Sequence, residues 1–172
     1  GRLLDGARSL LEKPGARSSW STPDGAHYGE GEAPGRLGVL FPGQGSQYTG
    51  MLRDLACRCP EMLETLAEAD EVFQANSGPG SDRRLSDHIY PPSAFDDEGR
   101  EAQEAALRAT QVAQPAIGAV SLGALRVLEG VGVRPDAVAG HSYGELLALC
   151  AAGRYDARAL HRLSGLRGRL MA

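Results

Sequence analysis

The stretch DAVAGHSYGELLALCAA, residues 136–152, joins a short apolar run to an apolar helical pattern through a serine between two glycines. Residues 136–140 predict a buried strand, and residues 143–152 predict a helix. The centre reads G-x-S-x-G, and a serine on a tight strand-to-helix turn of this kind exposes its Oγ as a nucleophile. The Tyr143 N–H would stand at the helix N-terminus, where it can donate to a developing oxyanion. The pattern therefore predicts a catalytic elbow around Ser142.

A serine nucleophile of this kind needs an imidazole within hydrogen-bond reach as its general base. The chain has four histidines, and the sequence places none of them well for that role. His27 falls in a predicted linker, and His88 falls in a predicted surface segment. His141 leaves the strand on the side opposite Ser142, and His161 is expected to be half-exposed on a later helix. We therefore expect the base outside this chain.

A second apolar run and several helical patterns extend the fold outward from the elbow. A strand is predicted at 37–41, and a glycine-rich loop follows it. Helices are predicted at 2–12, 50–58, 61–75, 96–110, 115–130 and 156–172, with Pro115 in the first turn of its helix and a loop at 76–82. This order of strands and helices indicates an α/β core with parallel strands. Two strands are too few for a complete sheet, so we expect the chain to be one piece of a larger domain.

The N-terminal region differs in composition from the rest of the chain. Residues 14–35 are rich in Gly, Ser and Pro and show no hydrophobic period, which predicts a linker. We therefore divide the chain into an N-terminal helix with an interdomain linker, 1–35, and a globular portion, 36–172.

Composition narrows the classes of function. The chain is 42% hydrophobic and 23% charged, which is typical of a globular protein, and its net charge of −4 predicts no nucleic-acid partner. No apolar run reaches the length of a membrane span. The three cysteines are too few and too scattered for a disulfide framework, which favours reduced thiols in the cytoplasm. Cys57 and Cys59 lack further ligands, so no metal is expected.

Four motifs together resemble one family. They are FPGQGSQYTGM (41–51), TQVAQPAIGA (110–119), GHSYGE (140–145) and RGRLM (167–171). Their order and spacing are similar to the malonyl-CoA:acyl-carrier-protein transacylases, which include the acyltransferase domains of polyketide and fatty acid synthases. The resemblance covers about residues 36–172, and LSDHIYPPSAFD (85–96) looks more like the iterative synthases of enediyne cores or polyunsaturated fatty acids.

The resemblance implies an α/β-hydrolase-like subdomain with an inserted ferredoxin-like subdomain. This chain matches the N-terminal part of the large subdomain, and the family's catalytic histidine follows the insertion. The ferredoxin-like subdomain and the C-terminal part are therefore expected to be absent from this chain.

The resemblance also implies roles for particular residues. Ser142 matches the nucleophile that takes the acyl group from malonyl-CoA and passes it to the phosphopantetheine thiol of an acyl carrier protein. Gln44 matches an oxyanion-hole residue beside the Tyr143 N–H. Arg167 matches the arginine that binds the malonyl carboxylate, and a guanidinium suits a carboxylate because it pairs with it bidentately. Gln114 is a further candidate near the substrate. No bound cofactor is expected, and the expected partners are the carrier protein, the remaining acyltransferase segment and neighbouring synthase domains.

Each of these assignments has an alternative. Arg167 could lie on a solvated helix face, and Gln114 could be a polar residue at a helix start. A serine thioesterase or other hydrolase shares the elbow but does not explain PGQGSQ or Arg167. A non-catalytic half-domain that serves as a scaffold between synthase domains is the third interpretation. Tyr143 follows the nucleophile, where methylmalonyl-selecting domains often carry glutamine, which favours malonyl.

Overall fold

The computed structural model describes residues 1–13, 18–31, 35–76 and 83–172. The chain divides into two compact units, Gly1–Arg36 and Leu37–Ala172. Each unit is described by itself. Of the predicted loop at 76–82, all but Asn76 lies outside the described residues.

The first unit contains a helix and a small hairpin. Helix α1 spans Arg2–Leu11, as predicted, and strands β1 (Ser19–Ser21) and β2 (His27–Gly29) pair antiparallel. The prediction that residues 14–35 form only a linker is therefore wrong for the hairpin. Trp20 and Tyr28 face each other across the strands with ring centroids 5.5 Å apart, and such aromatic pairs stabilise short hairpins. Residues 14–17 and 32–34 lie outside the described residues.

The second unit carries a parallel strand pair and seven described helices. Strand β3 spans Gly38–Phe41 and β4 spans Ala137–Gly140, and they pair in parallel from Gly38 opposite Ala137 to Phe41 opposite Gly140. The helices are α2 (Arg53–Arg58), α3 (Pro60–Asn76), α4 (Leu85–Ile89), α5 (Asp97–Arg108), α6 (Thr110–Gly130), α7 (Gly144–Ala151) and α8 (Ala157–Leu170). The predicted parallel strands and helices are therefore present.

Helix α6 begins earlier than the sequence predicted. It starts at Thr110 and contains Pro115 in its interior, so the prediction of a helix start at Pro115 is wrong. Proline removes one backbone N–H from a helix and disfavours an interior position. The burial of Val112, Ala113 and Gln114 on the first turns supplies tertiary packing that offsets this cost.

Helix α6 lies between two hydrophobic clusters that it helps to form. Its Ala116 packs in one cluster with α3 and α4, and its Ile117 packs in the other with Phe41, Leu147 and Leu160. The second cluster ties β3, α7 and α8 together, which places the end of the strand pair beside α8. Among the described residues, no helix has both the length and the apolar character of a membrane span.

His161 is buried, so the expectation of a half-exposed side chain is wrong. It is 4% exposed and lies on the same face of α8 as Leu160 and Ser164. Neither ring nitrogen has a hydrogen-bond partner among the described residues. Burial, with a smaller contribution from the nearby Arg126 charge, lowers the pKa of His161 to about 4.

This buried imidazole predicts a loss of stability in mild acid. The unfolded chain takes up the proton near the ordinary histidine pKa of about 6.5, while the folded protein resists it until about pH 4. The free energy of unfolding should therefore fall by about 2 kcal/mol between about pH 7 and pH 5 on account of this residue. Urea titrations of the full-length protein and its His161→Leu variant at both pH values measure the effect. An equal loss in the variant would contradict it.

Candidate active site

Ser142 stands on a tight turn between β4 and α7. Strand β4 ends at Gly140 and α7 begins at Gly144, so three residues make the turn. The Gly144 N–H donates to His141 O at 2.9 Å, and the Glu145 N–H donates to Ser142 O at 3.2 Å. Ser142 has a φ of 53°, the left-handed region that non-glycine residues seldom adopt. Its side chain is exposed, which is the geometry of a nucleophile elbow.

The two glycines of GHSYGE are required by close backbone contacts. A Cβ at Gly140 would lie 2.0 Å from the carbonyl carbon and oxygen of Gly144. A Cβ at Gly144 would lie 2.3 Å from Phe41 O and 2.8 Å from Pro42 O. Both neighbours are backbone atoms, so no side chain can move to make room. The glycines let the turn press against the end of β3.

We therefore expect Gly144→Ala to destabilise the full-length protein by about 3 kcal/mol, since the new methyl group forces the backbone of two elements apart. Gly153→Ala is a suitable comparison, because its φ of 72° is also left-handed but its Cβ would meet nothing within 4 Å. Urea denaturation measures both changes. Equal losses would show that backbone strain alone, and not the contact with Phe41, explains the requirement.

The PGQG loop lies directly beside the elbow. A Cβ at Gly43 would lie 2.8 Å from His141 O and 3.5 Å from the Cβ of Ser142, so this glycine admits the elbow to the loop. The next residue, Gln44, and the residue after the nucleophile, Tyr143, both have backbone N–H groups without an acceptor within the described part of the chain. Two free donors on the two segments that meet at Ser142 are what an oxyanion hole requires.

A network of amides holds the side chain of Gln44. Its Nε2 donates to Thr110 Oγ1 at 3.2 Å, and its Oε1 accepts from Gln114 Nε2 at 3.1 Å. Gln114 is fully buried and also donates weakly to Met171 Sδ at 3.8 Å. The candidate Gln114 thus contacts the oxyanion loop rather than a solvated helix start. Sequence reasoning missed Thr110, although it opens the same TQVAQP motif.

Arg167 lies on α8 and reaches the nucleophile. Its Nη2 is 3.5 Å from Ser142 Oγ, at the long limit of a hydrogen bond. The side chain is half-buried, so it does not lie on a fully solvated helix face. No acidic side chain in the described residues forms an ion pair with it. The arrangement leaves a guanidinium beside the serine and open to an anionic group.

The side chain of Tyr143 points away from the solvent and into the core. It is fully buried, and its hydroxyl lies 2.5 Å from Ser164 Oγ. Burial raises the pKa of the Tyr143 phenol well above its ordinary value, so the group stays protonated. Ser164 and its neighbour Gly118 are a second pair that sequence reasoning missed, because they are distant in the chain. The run of small residues on α6 was the one signal of a close approach there.

The histidines stay away from Ser142 Oγ. His27 is exposed on β2 and its Nδ1 hydrogen-bonds to Ser21 Oγ at 2.9 Å. His88 is half-buried with its ring edge-on to Phe73, which corrects the expectation of a surface position. His141 is exposed beside the PGQG loop. Among the described residues, no imidazole hydrogen-bonds to Ser142, so the base remains unassigned within this chain.

The described residues contain no group of three or more His, Cys, Asp or Glu side chains that could hold a metal ion. Cys57, Cys59 and Cys150 are free thiols. The chemistry at Ser142 is therefore built from hydroxyl, amide and guanidinium groups.

Comparison with known proteins assigns the class. The acyl transferase domain family matches residues 39–172. Polyketide synthase GfsA of Streptomyces halstedii is 38% identical over 172 residues, which is 99% of this chain and 2% of that protein. One of the polyunsaturated fatty acid synthase proteins of a Thraustochytrium species is 34% identical over 160 residues, which is 91% of this chain and 6% of that protein.

Solved structures give the same result. A type II polyketide synthase acyl-carrier protein in complex with its malonyl-transacylase superimposes with a TM-score of 0.64 at 36% identity, over 80% of this chain and 39% of that chain. An acyl carrier protein S-malonyltransferase from Vibrio cholerae has the same TM-score, identity and coverage. The acyl transferase domain of ZmaA superimposes with a TM-score of 0.71 at 26% identity, over 87% of this chain and 33% of that chain.

The chain belongs to the acyl transferase domain family, and its fold is the α/β fold of the malonyl transacylases. The resemblance and the fold class predicted from the sequence are confirmed. The chain spans less than two fifths of the solved transacylase chains, since 39% of the first is covered. It spans a small fraction of each synthase.

Proposed function

We propose that the protein transfers a malonyl group from malonyl-CoA, through an acyl-serine at Ser142, to the phosphopantetheine thiol of an acyl carrier protein. One observation carries the proposal: the elbow serine stands 3.5 Å from an unpaired guanidinium. Of the common acyl-CoA donors, one with a free carboxylate satisfies that charge, and a plain acyl chain leaves it unsatisfied. The similarity to malonyl transacylases and polyketide synthases supports the same substrate class.

The proposed reaction has two half-reactions of the same form. In the first, Ser142 Oγ attacks the thioester carbonyl, its proton passes to a base, and CoA leaves as the thiol. In the second, the carrier thiol attacks the acyl-serine and Ser142 leaves with a proton. The Gln44 and Tyr143 N–H groups stabilise the oxyanion in both, because each donor stands on a segment that meets the serine. The base is a group outside this chain.

Arg167 and Gln114 take supporting roles in this proposal. Arg167 binds the malonyl carboxylate bidentately, which orients the thioester carbonyl toward Ser142. Gln114 holds the side chain of Gln44 through the 3.1 Å hydrogen bond, which keeps the oxyanion loop in place. Gln114 was predicted as a substrate-binding residue, and its burial favours a role through Gln44 instead.

The proposal extends to the whole protein. We keep the division into an interdomain helix and linker at 1–35 and an acyltransferase portion at 36–172, with neighbouring synthase domains as partners. The compartment proposed is the cytoplasm, since the donor is an acyl-CoA and the cysteines are free thiols. The products proposed are polyketides, antibiotics among them, or polyunsaturated fatty acids.

A transfer assay separates this function from its alternatives. The full-length protein is incubated with malonyl-CoA and a phosphopantetheinylated carrier protein, and malonyl-carrier and free malonate are both quantified. The transferase should form malonyl-carrier faster than malonate. Malonate alone would indicate the serine hydrolase, and no turnover would leave the scaffold interpretation.

A further inference from the structure

We propose that the hydroxyl groups of Tyr143 and Ser164 form a positioning pair that sets the distance between Ser142 and Arg167, and thereby the preference for a malonyl group. The inference rests on the proposed malonyl transfer. It concerns two side chains that touch neither substrate nor nucleophile in this arrangement. Both belong to the protein core behind the elbow.

The pair is a directed hydrogen-bond chain. Ser164 Oγ donates to Leu160 O at 2.7 Å, which uses the one hydrogen of the serine hydroxyl. The Tyr143 hydroxyl, 2.5 Å from Ser164 Oγ, must then be the donor in that contact. Tyr143 and Ser164 are both fully buried. In the absence of water, a short bond of this kind tolerates little displacement, because either partner left alone would be an unsatisfied polar group.

The chain positions of the pair connect the two working side chains. Tyr143 follows Ser142 directly, and Ser164 lies three residues before Arg167 on α8, which is about one helical turn. The bond therefore joins the turn that carries the nucleophile to the helix that carries the guanidinium. Arg167 is already at the long limit of contact with Ser142, so a small shift of α8 would move it out of reach of a substrate carboxylate.

Gly118 shows that α6 is shaped around the pair. A Cβ at this position would lie 2.2 Å from the Tyr143 hydroxyl oxygen, 3.3 Å from its Cζ and 3.4 Å from Ser164 Oγ. The absent methyl group leaves room for one atom, the phenol oxygen. The surrounding apolar cluster of Phe41, Leu147 and Leu160 encloses the ring. Tyr143 thus influences substrate choice from behind the elbow, without lining the acyl site.

The test compares malonyl-CoA with acetyl-CoA in the full-length protein. Tyr143→Phe and Ser164→Ala should each lower the malonyl-to-acetyl ratio of kcat/KM about tenfold, the value of one buried hydrogen bond. Most of the loss should lie in a raised KM for malonyl-CoA, with acetyl loading changed less than about twofold. Tyr90→Phe is the matched control, because it removes a tyrosine hydroxyl that bonds to Met51 O at 3.1 Å in the other cluster.

A second variant keeps the test independent of folding failures. Gly118→Ala should lower the Tm, and adding Tyr143→Phe should restore it, because the change removes the oxygen that the methyl group would meet. A Tm lost in either single variant with an unchanged malonyl-to-acetyl ratio would overturn the inference while the proposed function stands. A wild-type protein without Ser142-dependent malonyl loading would overturn both.

Discussion

Replacement of Ser142 by alanine should lower malonyl transfer to the carrier protein by at least about 10⁴-fold. The serine forms the covalent intermediate, so the variant has no group that can hold the acyl chain between donor and acceptor. The oxyanion donors on Gln44 and Tyr143 remain in the variant, and they sustain only a small residual rate. Steady-state transfer from malonyl-CoA to carrier protein, followed with the full-length protein, measures the loss.

Ser93→Ala is a matched control for the same chemical change. Ser93 is exposed in the segment before α5 and forms no hydrogen bond within the described residues, so its loss should leave the transfer rate unchanged. Transfer in Ser142→Ala above about one hundredth of the wild-type rate would assign the nucleophile to another residue.

Replacement of Arg167 by alanine should reduce malonyl loading by about 2–4 kcal/mol, or roughly 30-fold to 1000-fold in kcat/KM. The guanidinium is the one described cation within reach of Ser142 Oγ, at 3.5 Å, so its removal leaves the malonyl carboxylate without a partner. Acetyl loading should change far less, because an acetyl group has no carboxylate to bind. The measurement is kcat/KM for both acyl-CoA donors.

Arg169 provides the comparison for Arg167. It lies two residues further along α8 and is exposed, so Arg169→Ala removes the same charge from the same helix without removing the contact to Ser142. Arg167→Lys should recover only part of the malonyl rate, because an ammonium group cannot pair bidentately. Equal losses for malonyl and acetyl in Arg167→Ala would exclude the carboxylate role.

Local features of this protein were predictable from the sequence. The elbow around Ser142 needs a strand, a helix and two glycines within one short stretch, and all of these are adjacent in the chain. The parallel pairing of β3 and β4 follows from the helices between them. The caps are equally local: Asp156 accepts from the Ala159 N–H at 2.7 Å and starts α8 where the sequence predicted.

Features made by distant residues were not predictable. The burial of His161 depends on which face of α8 meets α3 and α6, and a helical pattern with arginines on several sides does not determine that face. The early start of α6 depends on packing around Gln114 that overrides the proline. The contact between Tyr143 and Ser164 joins residues 21 positions apart, and neither motif containing them predicts it. The hairpin at 19–29 depends on one aromatic pair within a polar stretch.

The central claim is that Ser142 carries the malonyl group, and intact-protein mass spectrometry tests it most directly. The full-length protein is mixed with malonyl-CoA, and its mass is compared with that of the Ser142→Ala variant treated in the same way. We predict that the wild-type protein gains one malonyl group, located on the peptide that contains Ser142, and that the variant gains none. A malonyl group that persists in the variant, or a wild-type protein that gains none, would contradict the account.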